Sequence, residues 1–410
     1  MALTQKSTTK PLLLIVAGIK GAVGSTVAAA GAALRKDPRA VLPSLTAFCS
    51  PSPEEALSKT QIAGWDISPR TLLQSLEYHE VLPPDKFLPL EDDLRKIPIF
   101  PAPPSAFSFR ERVERLSQDI REFRRLHPEN QPVFINLLPA CELPDLGTCH
   151  SLDQLYAWAG AAAFPDLAYT LAAILSGLPV VNFTPNPVEL PLLVQEATKT
   201  GVPLCGRDGK TGQTYLKVVL ASALRARNLR VDGWYSLNLL GNEDGRNLVD
   251  PRKAAGKLAN KTEVLDEILG YSVGERYGVS SHKVVIDYYP PRGDAKEAWD
   301  VVDFAGLFGL PMSLRLNLQA RDSILAAPLV IDLAWWMASL QAAGRSGLVP
   351  ELGFYFKKPL GPNPPIPFQD QLAQLDRLRI FCREKMGGPA DRRTGGPEDF
   401  SPPAENKSGP

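Results

Sequence analysis

Lys257, Lys261, Lys296 and Lys357 occur together with Asp208, Asp294 and Asp322 in the later part of the chain. Lysines that converge on one pocket can hold a phosphate as point charges. They can also stabilise an enolate or alkoxide, or carry a proton where desolvation lowers the amine's pKa. Lys257 and Lys261 are four residues apart, so on a helix they share a face, although lysines so spaced most often point to solvent. Each aspartate follows a strand or a turn, where it can orient a lysine or a nicotinamide ribose, or act as a cap. The stretch from Gly206 to Lys261 gathers this chemistry. A glycine-punctuated entry to Gly212 leads into an apolar helix over Tyr215–Arg227 and a strand over Gly233–Leu240. A polar turn over Gly241–Asn247 and a lysine-bearing helix come next. Carboxylate, amide and ammonium groups are thus crowded at element ends, a pattern suited to a small phosphorylated, hydroxyl-rich molecule.

Other elements must position these groups. Leu12–Ala17 is a continuous apolar run, the mark of a strand buried on both faces. Gly18, Gly21 and Gly24, then Ser25 and Thr26, open an Ala-rich helix predicted over Ser25–Leu34. Strand, glycine loop and helix are the context of a dinucleotide site, where backbone N–H groups face a pyrophosphate. The G-x-x-G-x-x-G spacing departs from G-x-G-x-x-G and also suits an ordinary tight turn. A second strand read over Ser44–Ser50 lacks the acidic residue that holds a ribose hydroxyl, and Asp66 is the nearest candidate. Further elements are a proline-rich wrapping segment over 80–108, a charged helix over Ser108–Leu126, and strands over Pro132–Leu138 and Leu178–Phe183. Half-solvated strands over Ser281–Tyr289 and Ser313–Gln319 and helices over Leu325–Ala343 and Phe368–Met386 complete the pattern. The order predicts an α/β fold: a doubly wound Rossmann-type domain interrupted by a smaller α+β catalytic and oligomerisation domain. The divisions are 1–200, 201–322, a return over 323–386, and a disordered Pro/Gly-rich tail over 387–410.

The 410 residues carry 45 basic and 45 acidic side chains, so net charge gives no general pull towards nucleic acid or an anionic membrane. Five scattered cysteines without a CxxC pair suit a reducing cytoplasm, and their spacing matches no metal site. The apolar tract over Leu155–Val181 is broken by Pro165 and by Gly177-Leu-Pro179, which predicts a buried helix and a strand, not a membrane span.

From Leu12 to about Leu360 the chain resembles the myo-inositol-1-phosphate synthase (inositol-3-phosphate synthase) family. Gly18–Thr26 is similar to the family's cofactor loop, which ends in the same Gly-Ser-Thr, and Gly64-Trp-Asp-Ile67 matches a family signature. Asn182-Phe-Thr184-Pro-Asn186 is similar to its Asn-Gly-Ser-Pro segment. Asp208, Lys210, Gly212, Gln213 and Thr214 match its Gly-Asp-Asp-x-Lys-Ser-Gly-Gln-Thr run. Ser236, Asn238, Gly241, Asn242, Asp244 and Asn247 fall on its Ser-Tyr-Asn-His-Leu-Gly-Asn-Asn-Asp-Gly-x-Asn-Leu motif. Lys257 and Lys261 match the lysines of its Ser-Lys-Glu-Ile-Ser-Lys helix. Gly293-Asp294-Ala-Lys296 matches Gly-Asp-Ser-Lys, Asp322-Ser323 matches an Asp-Ser pair, and Lys357 falls near its C-terminal lysine. The chain departs from the family at Ala22-Val23, where paired asparagines are usual, and at Glu243.

The resemblance implies binding of open-chain glucose 6-phosphate beside NAD, oxidation at C5, enolisation at C6, aldol closure on C1 and re-reduction at C5. The product would be 1D-myo-inositol 3-phosphate, with no net redox change. It further implies that Lys296 and Lys257 serve the steps at C5 and C6, that Lys357 and Lys261 hold substrate oxygens and phosphate, and that Asp208 and Asn238 support them. Gly18, Gly21, Gly24, Ser25, Thr26, Asp66, Thr184, Asn242, Asp244, Asp294, Asp322 and Ser323 would attend the cofactor or a lysine. No metal, nucleic acid or membrane enters this expectation; the partner is glucose 6-phosphate, and the assembly is a cytoplasmic homotetramer. Competing readings are an NAD-dependent cyclase or dehydrogenase for another sugar phosphate, and a non-catalytic sugar-phosphate-binding relative.

Overall fold

The computed structural model describes residues 10–38, 53–141, 149–241, 245 and 264–386. Its first part runs β1 (Leu12–Ala17), α1 (Ala22–Lys36), β2 (Gln61–Asp66), α2 (Leu72–His79), β3 (Ile99–Pro101) and α3 (Phe109–Leu126). It continues with β4 (Gln131–Asn136), α4 (Pro165–Leu175), β5 (Val180–Asn182), α5 (Pro191–Lys199) and β6 (Pro203–Gly206). Then come α6 (Gln213–Ala226), β7 (Arg230–Leu240), β8 (His282–Tyr288), β9 (Ala295–Ala305) and β10 (Pro311–Arg321). The chain closes with α7 (Asp322–Ala342), β11 (Gly347–Leu348) and α8 (Phe368–Lys385).

Seven strands form a sheet in the order β11-β6-β5-β4-β1-β2-β3, every pairing parallel. A parallel sheet needs helices on both faces, so its strands are apolar throughout. All six residues of β1 are buried. Leu12, Leu14 and Val16 pack into one core with α1 and α7; Leu13, Ile15 and Ala17 pack into another with α3 and α4. Helix α7 is long and apolar enough to cross a membrane, yet 78% of that stretch is buried inside the fold, as suits a central core helix.

Several expectations are corrected here. Helix α1 starts at Ala22, so Gly24, Ser25 and Thr26 lie within it. The strand that pairs with β1 is β2, and Asp66 is its last residue. An acidic residue therefore does stand at the end of the neighbouring strand; the segment Ser44–Ser50 lies outside the described residues. The proline-rich segment over 80–108 is not a plain wrap. It holds the edge strand β3 and short helical turns whose Phe87, Leu90 and Leu94 are buried against α1. The tail over 387–410 lies outside the described residues.

The second sheet has four strands in the order β10-β9-β7-β8. The chain was expected to turn antiparallel here, and β9 pairs so with both β7 and β10, but β7 and β8 are parallel. A parallel pair needs a long crossover, which the residues between Leu240 and His282 supply. Strand β9 was not anticipated, because the turn signals of Pro290–Lys296 run straight into it. The register aligns several polar side chains on one face. Trp234, Ser236 and Asn238 of β7 stand opposite Val302, Asp300 and Ala298 of β9 on the inward face, with Lys296 one step further along that face. Trp234 and Val302 pack there with Val218 and Ala221 of α6.

Candidate active site

The strand order of the parallel sheet reverses between β1 and β4, the place where open α/β sheets bind ligands. Gly18 follows β1 there with φ of 82°, and a Cβ on it would lie 2.9 Å from the Leu137 carbonyl oxygen after β4. Only glycine fits so close a crossing. A side chain on Gly24 would overlap the backbone of Gly18 and Ile19, so α1 enters tightly behind the loop. Gly21 is the N-cap of α1, and no side chain caps that first turn. The Ser25 and Thr26 hydroxyls turn back to the Ala22 carbonyl. The Asp66 carboxylate accepts from the backbone N–H of Lys20 at 2.7 Å and of Ser68 at 2.8 Å, tying the end of β2 to the glycine loop.

Thr184, at the carboxyl end of β5, donates to Asn182 Oδ1 at 3.0 Å and accepts from the Asn186 N–H. It belongs to a buried polar cluster in which Asn136 donates to Asp166 Oδ1 at 2.8 Å and Asn186 donates to the same oxygen at 3.0 Å. Burial raises the Asp166 carboxyl pKa, and these two amides work against that rise.

The lysine side of the site is built from segments far apart in sequence. Beyond β6 the chain runs beside residues 355–360: Lys210 N–H donates to Tyr355 O, and Lys357 N–H to Asp208 O, both at 2.8 Å. This pairing brings the Lys357 ammonium to 2.7 Å from Asp208 Oδ1. Asp322, at the head of α7, accepts from Lys296 Nζ at 3.2 Å and from Thr211 Oγ1 at 3.1 Å. Burial alone would raise the Asp322 carboxyl; Lys296, Lys357 and the hydrogen bonds from Lys296 and Thr211 outweigh it and hold the group below its ordinary value. Ser323 Oγ donates to Asp294 Oδ1 at 3.2 Å. Asn238 is 1% exposed, and neither its amide nitrogen nor its oxygen has a hydrogen-bond partner among the described residues.

The fold thus joins Lys296, Lys357, Asp208 and Asp322 into one charged network, with Asp294 and Ser323 paired at its edge and Asn238 on the adjoining sheet face. Gly18, Gly21, Gly24, Ser25, Thr26 and Asp66 gather separately around the β1–α1 turn, and Thr184 sits in the amide cluster. Lys257, Lys261, Asn242 and Asp244 lie outside the described residues.

Other buried polar groups were not anticipated as site residues. Lys210 is 3% exposed, and its amine donates to Gly353 O at 3.1 Å and Gln371 Oε1 at 2.9 Å. Desolvation lowers its pKa to about 7. Lys217 lies 2.8 Å from His282 Nε2; desolvation lowers its pKa to about 8 against the opposing pull of Asp300. Asp300 itself accepts from Gln213, Trp234 and Ser236. The available signal was alternation: Lys296, Ala298 and Asp300 are two apart, as are Ser236 and Asn238, so each set shares a face once both segments are strands.

A model of the myo-inositol-1-phosphate synthase family matches residues 212–323. The chain is 32% identical over 416 aligned positions to inositol-3-phosphate synthase 1 of Bacteroides thetaiotaomicron, covering 93% of this chain and 97% of that protein. It is also 32% identical to inositol-3-phosphate synthase 1 of Bos taurus, over 62% of this chain and 48% of that one, so the match spans about half of the bovine protein. Among solved structures, the inositol-3-phosphate synthase of Caenorhabditis elegans superposes with a TM-score of 0.77 at 20% identity, covering 93% of this chain and 87% of that one. A myo-inositol-1-phosphate synthase-related protein of Thermotoga maritima superposes with a TM-score of 0.70 at 20% identity, over 93% of this chain and all of that one. At such identities the superpositions speak for the fold.

Proposed function

The chain belongs to the inositol-3-phosphate synthase family, and on that premise we propose that it cyclises D-glucose 6-phosphate to 1D-myo-inositol 3-phosphate with NAD as its cofactor. The observation that carries this reading is the network Lys296–Asp322 and Lys357–Asp208 beside the amide of Asn238, which has no hydrogen-bond partner among the described residues. Oxyanions develop at the C5 and C1 oxygens during the reaction, and ammonium groups held by paired carboxylates stabilise them without reorganising. Asp322, ionised because of its two lysine neighbours, holds Lys296 in place. Lys296 is the group we assign to the proton and charge changes at C5 and C6. Lys357, braced by Asp208, attends the substrate's other oxygens, and Asn238 offers both a donor and an acceptor to a hydroxyl. The head of α6, capped by Gly212 without a side-chain hydrogen bond, favours an anion such as the sugar's phosphate. Lys257 joins Lys296 and Lys261 joins Lys357 in this assignment, with Asn242, Asp244, Asp294 and Ser323 at the nicotinamide side.

The β1–α1 turn suits a dinucleotide: its glycines leave no side chain between the backbone and a pyrophosphate, and Asp66 stands where a ribose hydroxyl would be held. NAD, when bound, supplies reversible hydride acceptance at C5. We extend the proposal to a homotetramer that meets neither membrane nor nucleic acid and works in the cytoplasm, and to a domain division at residues 200 and 322. The oligomer is supported by half-exposed Tyr235 and Trp299 on the outward face of the four-stranded sheet and by Leu307, Phe308 and Leu310 at the β9–β10 tip.

Incubation with glucose 6-phosphate and catalytic NAD, followed by phosphorus NMR, tests the function. An inositol monophosphate without stoichiometric NADH is the expected result; bulk NADH would make the chain a dehydrogenase. Light scattering of the purified protein tests the tetramer.

A further inference from the structure

Asp300, on β9, is 3% exposed. Trp234 Nε1 donates to its Oδ1 at 2.8 Å, Ser236 Oγ donates to the same oxygen, and Gln213 Nε2 donates to its Oδ2 at 2.9 Å. The Trp234 nitrogen can only donate, and the Lys217 amine of α6 lies nearby, so the Asp300 carboxylate serves here as an acceptor. Gln213 is the first residue of α6, at the helix end that adjoins Thr211 and the Asp322 network. An amide can turn either end to a neighbour, but a carboxylate offers acceptors alone. The NH2 of Gln213 must therefore face Asp300, and Oε1 is turned away from it. That oxygen is buried and has no hydrogen-bond partner among the described residues. Asn238, two residues along the same face of β7 from Ser236, likewise has no partner there for either end of its amide. Buried polar atoms left without partners destabilise a fold, and their retention points to a ligand that completes them.

We propose that Asp300 is a positioning residue for the cyclisation: it fixes the Gln213 amide so that an acceptor oxygen waits at the head of α6 for a hydroxyl of the open-chain sugar phosphate. Asp300 touches no substrate itself. The inference rests on the reading of glucose 6-phosphate as substrate given above.

The test is a cycle of Asp300→Asn, Gln213→Glu and the double variant, each compared with wild type from pH 6 to pH 8. An asparagine can present either end to Gln213, so the fixed orientation is lost; kcat/KM should fall about tenfold, chiefly through KM. In Gln213→Glu two carboxylates face each other, which raises the pKa of the pair. At pH 8 activity should fall about a hundredfold. At pH 6 the new carboxyl, once protonated, donates to Asp300 and presents its carbonyl as the glutamine did, so about tenfold should return. In the double variant the asparagine amide donates to the new carboxylate, restoring activity at pH 8 and flattening the pH dependence. A merely structural Asp300 would lower the melting temperature with kcat/KM within about twofold of wild type, which overturns the proposal. If Asp300→Asn does not fold, a Gln213→Glu loss that is equal at pH 6 and pH 8 overturns it instead. Wild-type turnover decides the substrate reading separately. Should wild type leave glucose 6-phosphate unchanged, the cycle is read by calorimetric binding of glucose 6-phosphate, and equal binding by wild type and Asp300→Asn then rejects the role.

Discussion

Two buried amide clusters lie at the carboxyl edge of the parallel sheet and on the inward face of the second sheet, and they differ in how completely they are satisfied. In the first, Asn136 donates to Asp166 and Asn182 and accepts from the Leu138 N–H, while Asn186 donates to Pro139 O and accepts from the Cys141 N–H. In the second, Asn238 and Gln213 Oε1 have no partner among the described residues, although both side chains are as deeply buried. The same residue type thus plays opposite parts. A saturated amide locks the loops after β4 and β5 into one shape, whereas an unsaturated one is held open at a cost in stability that a ligand would offset.

The largest effect expected concerns the open side. Lys296→Ala should lower inositol phosphate formation by about a thousandfold, read by phosphorus NMR, with only a small change in melting temperature because the lysine's carboxylate partner is partly solvated. Next, Asn238→Ala should cost about a hundredfold in kcat and leave thermal stability unchanged or improved. Asn136→Ala should instead lose about 2–3 kcal/mol of stability in urea unfolding, since it strips buried Asp166 and Asn182 of a donor. Equal stability losses at the two asparagines would break the contrast.

The titration of Lys210 gives a smaller effect. The unfolded amine holds its proton to about 10.5 while the folded one releases it near 7. Between those values the unfolded state binds more protons, so wild-type stability should rise with pH by up to about 1.4 kcal/mol per unit relative to Lys210→Met. A flat difference would show that the amine keeps its charge when buried. The smallest effect separates the two carboxylates by sign. Asp322 titrates lower when folded, so the advantage of wild type over Asp322→Asn should disappear as the pH falls below about 4. Asp166 titrates higher when folded, so wild type should gain on Asp166→Asn as the pH falls from neutrality towards about 4, with no further gain below that. Parallel acid profiles for the two variants would contradict this assignment.

Much of this was legible from spacing. The unbroken apolar run of β1 and the glycines behind it announced a doubly wound sheet, because a strand buried on both faces leaves no room for polar residues. The lysines and aspartates of the site were legible as residue types and motifs. Asp300 and Lys217 were not, and Lys210 was legible only as a motif position, not as a buried amine. Each looks like an ordinary charged surface residue until the packing of α6 against β7 and β9, or of residues 206–210 against 353–360, removes it from water. Strand β9 was hidden because its first residues belong to a turn motif, so the face shared by Lys296 and Asp300 could not be counted.

The sequence by itself determined the periodicities, hence the strands and helices, and it supplied the chemical groups of a sugar-phosphate site together with the family to which the chain belongs. Only the tertiary structure decided which groups meet. Lys357 lies 149 residues from Asp208, and Lys296 lies 26 from Asp322. Hydrophobic burial fixes where the strands and helices go, but without direction. Which carboxylate is spent on which amine, and which amide is left open, is settled when directional hydrogen bonds must close inside that packed frame.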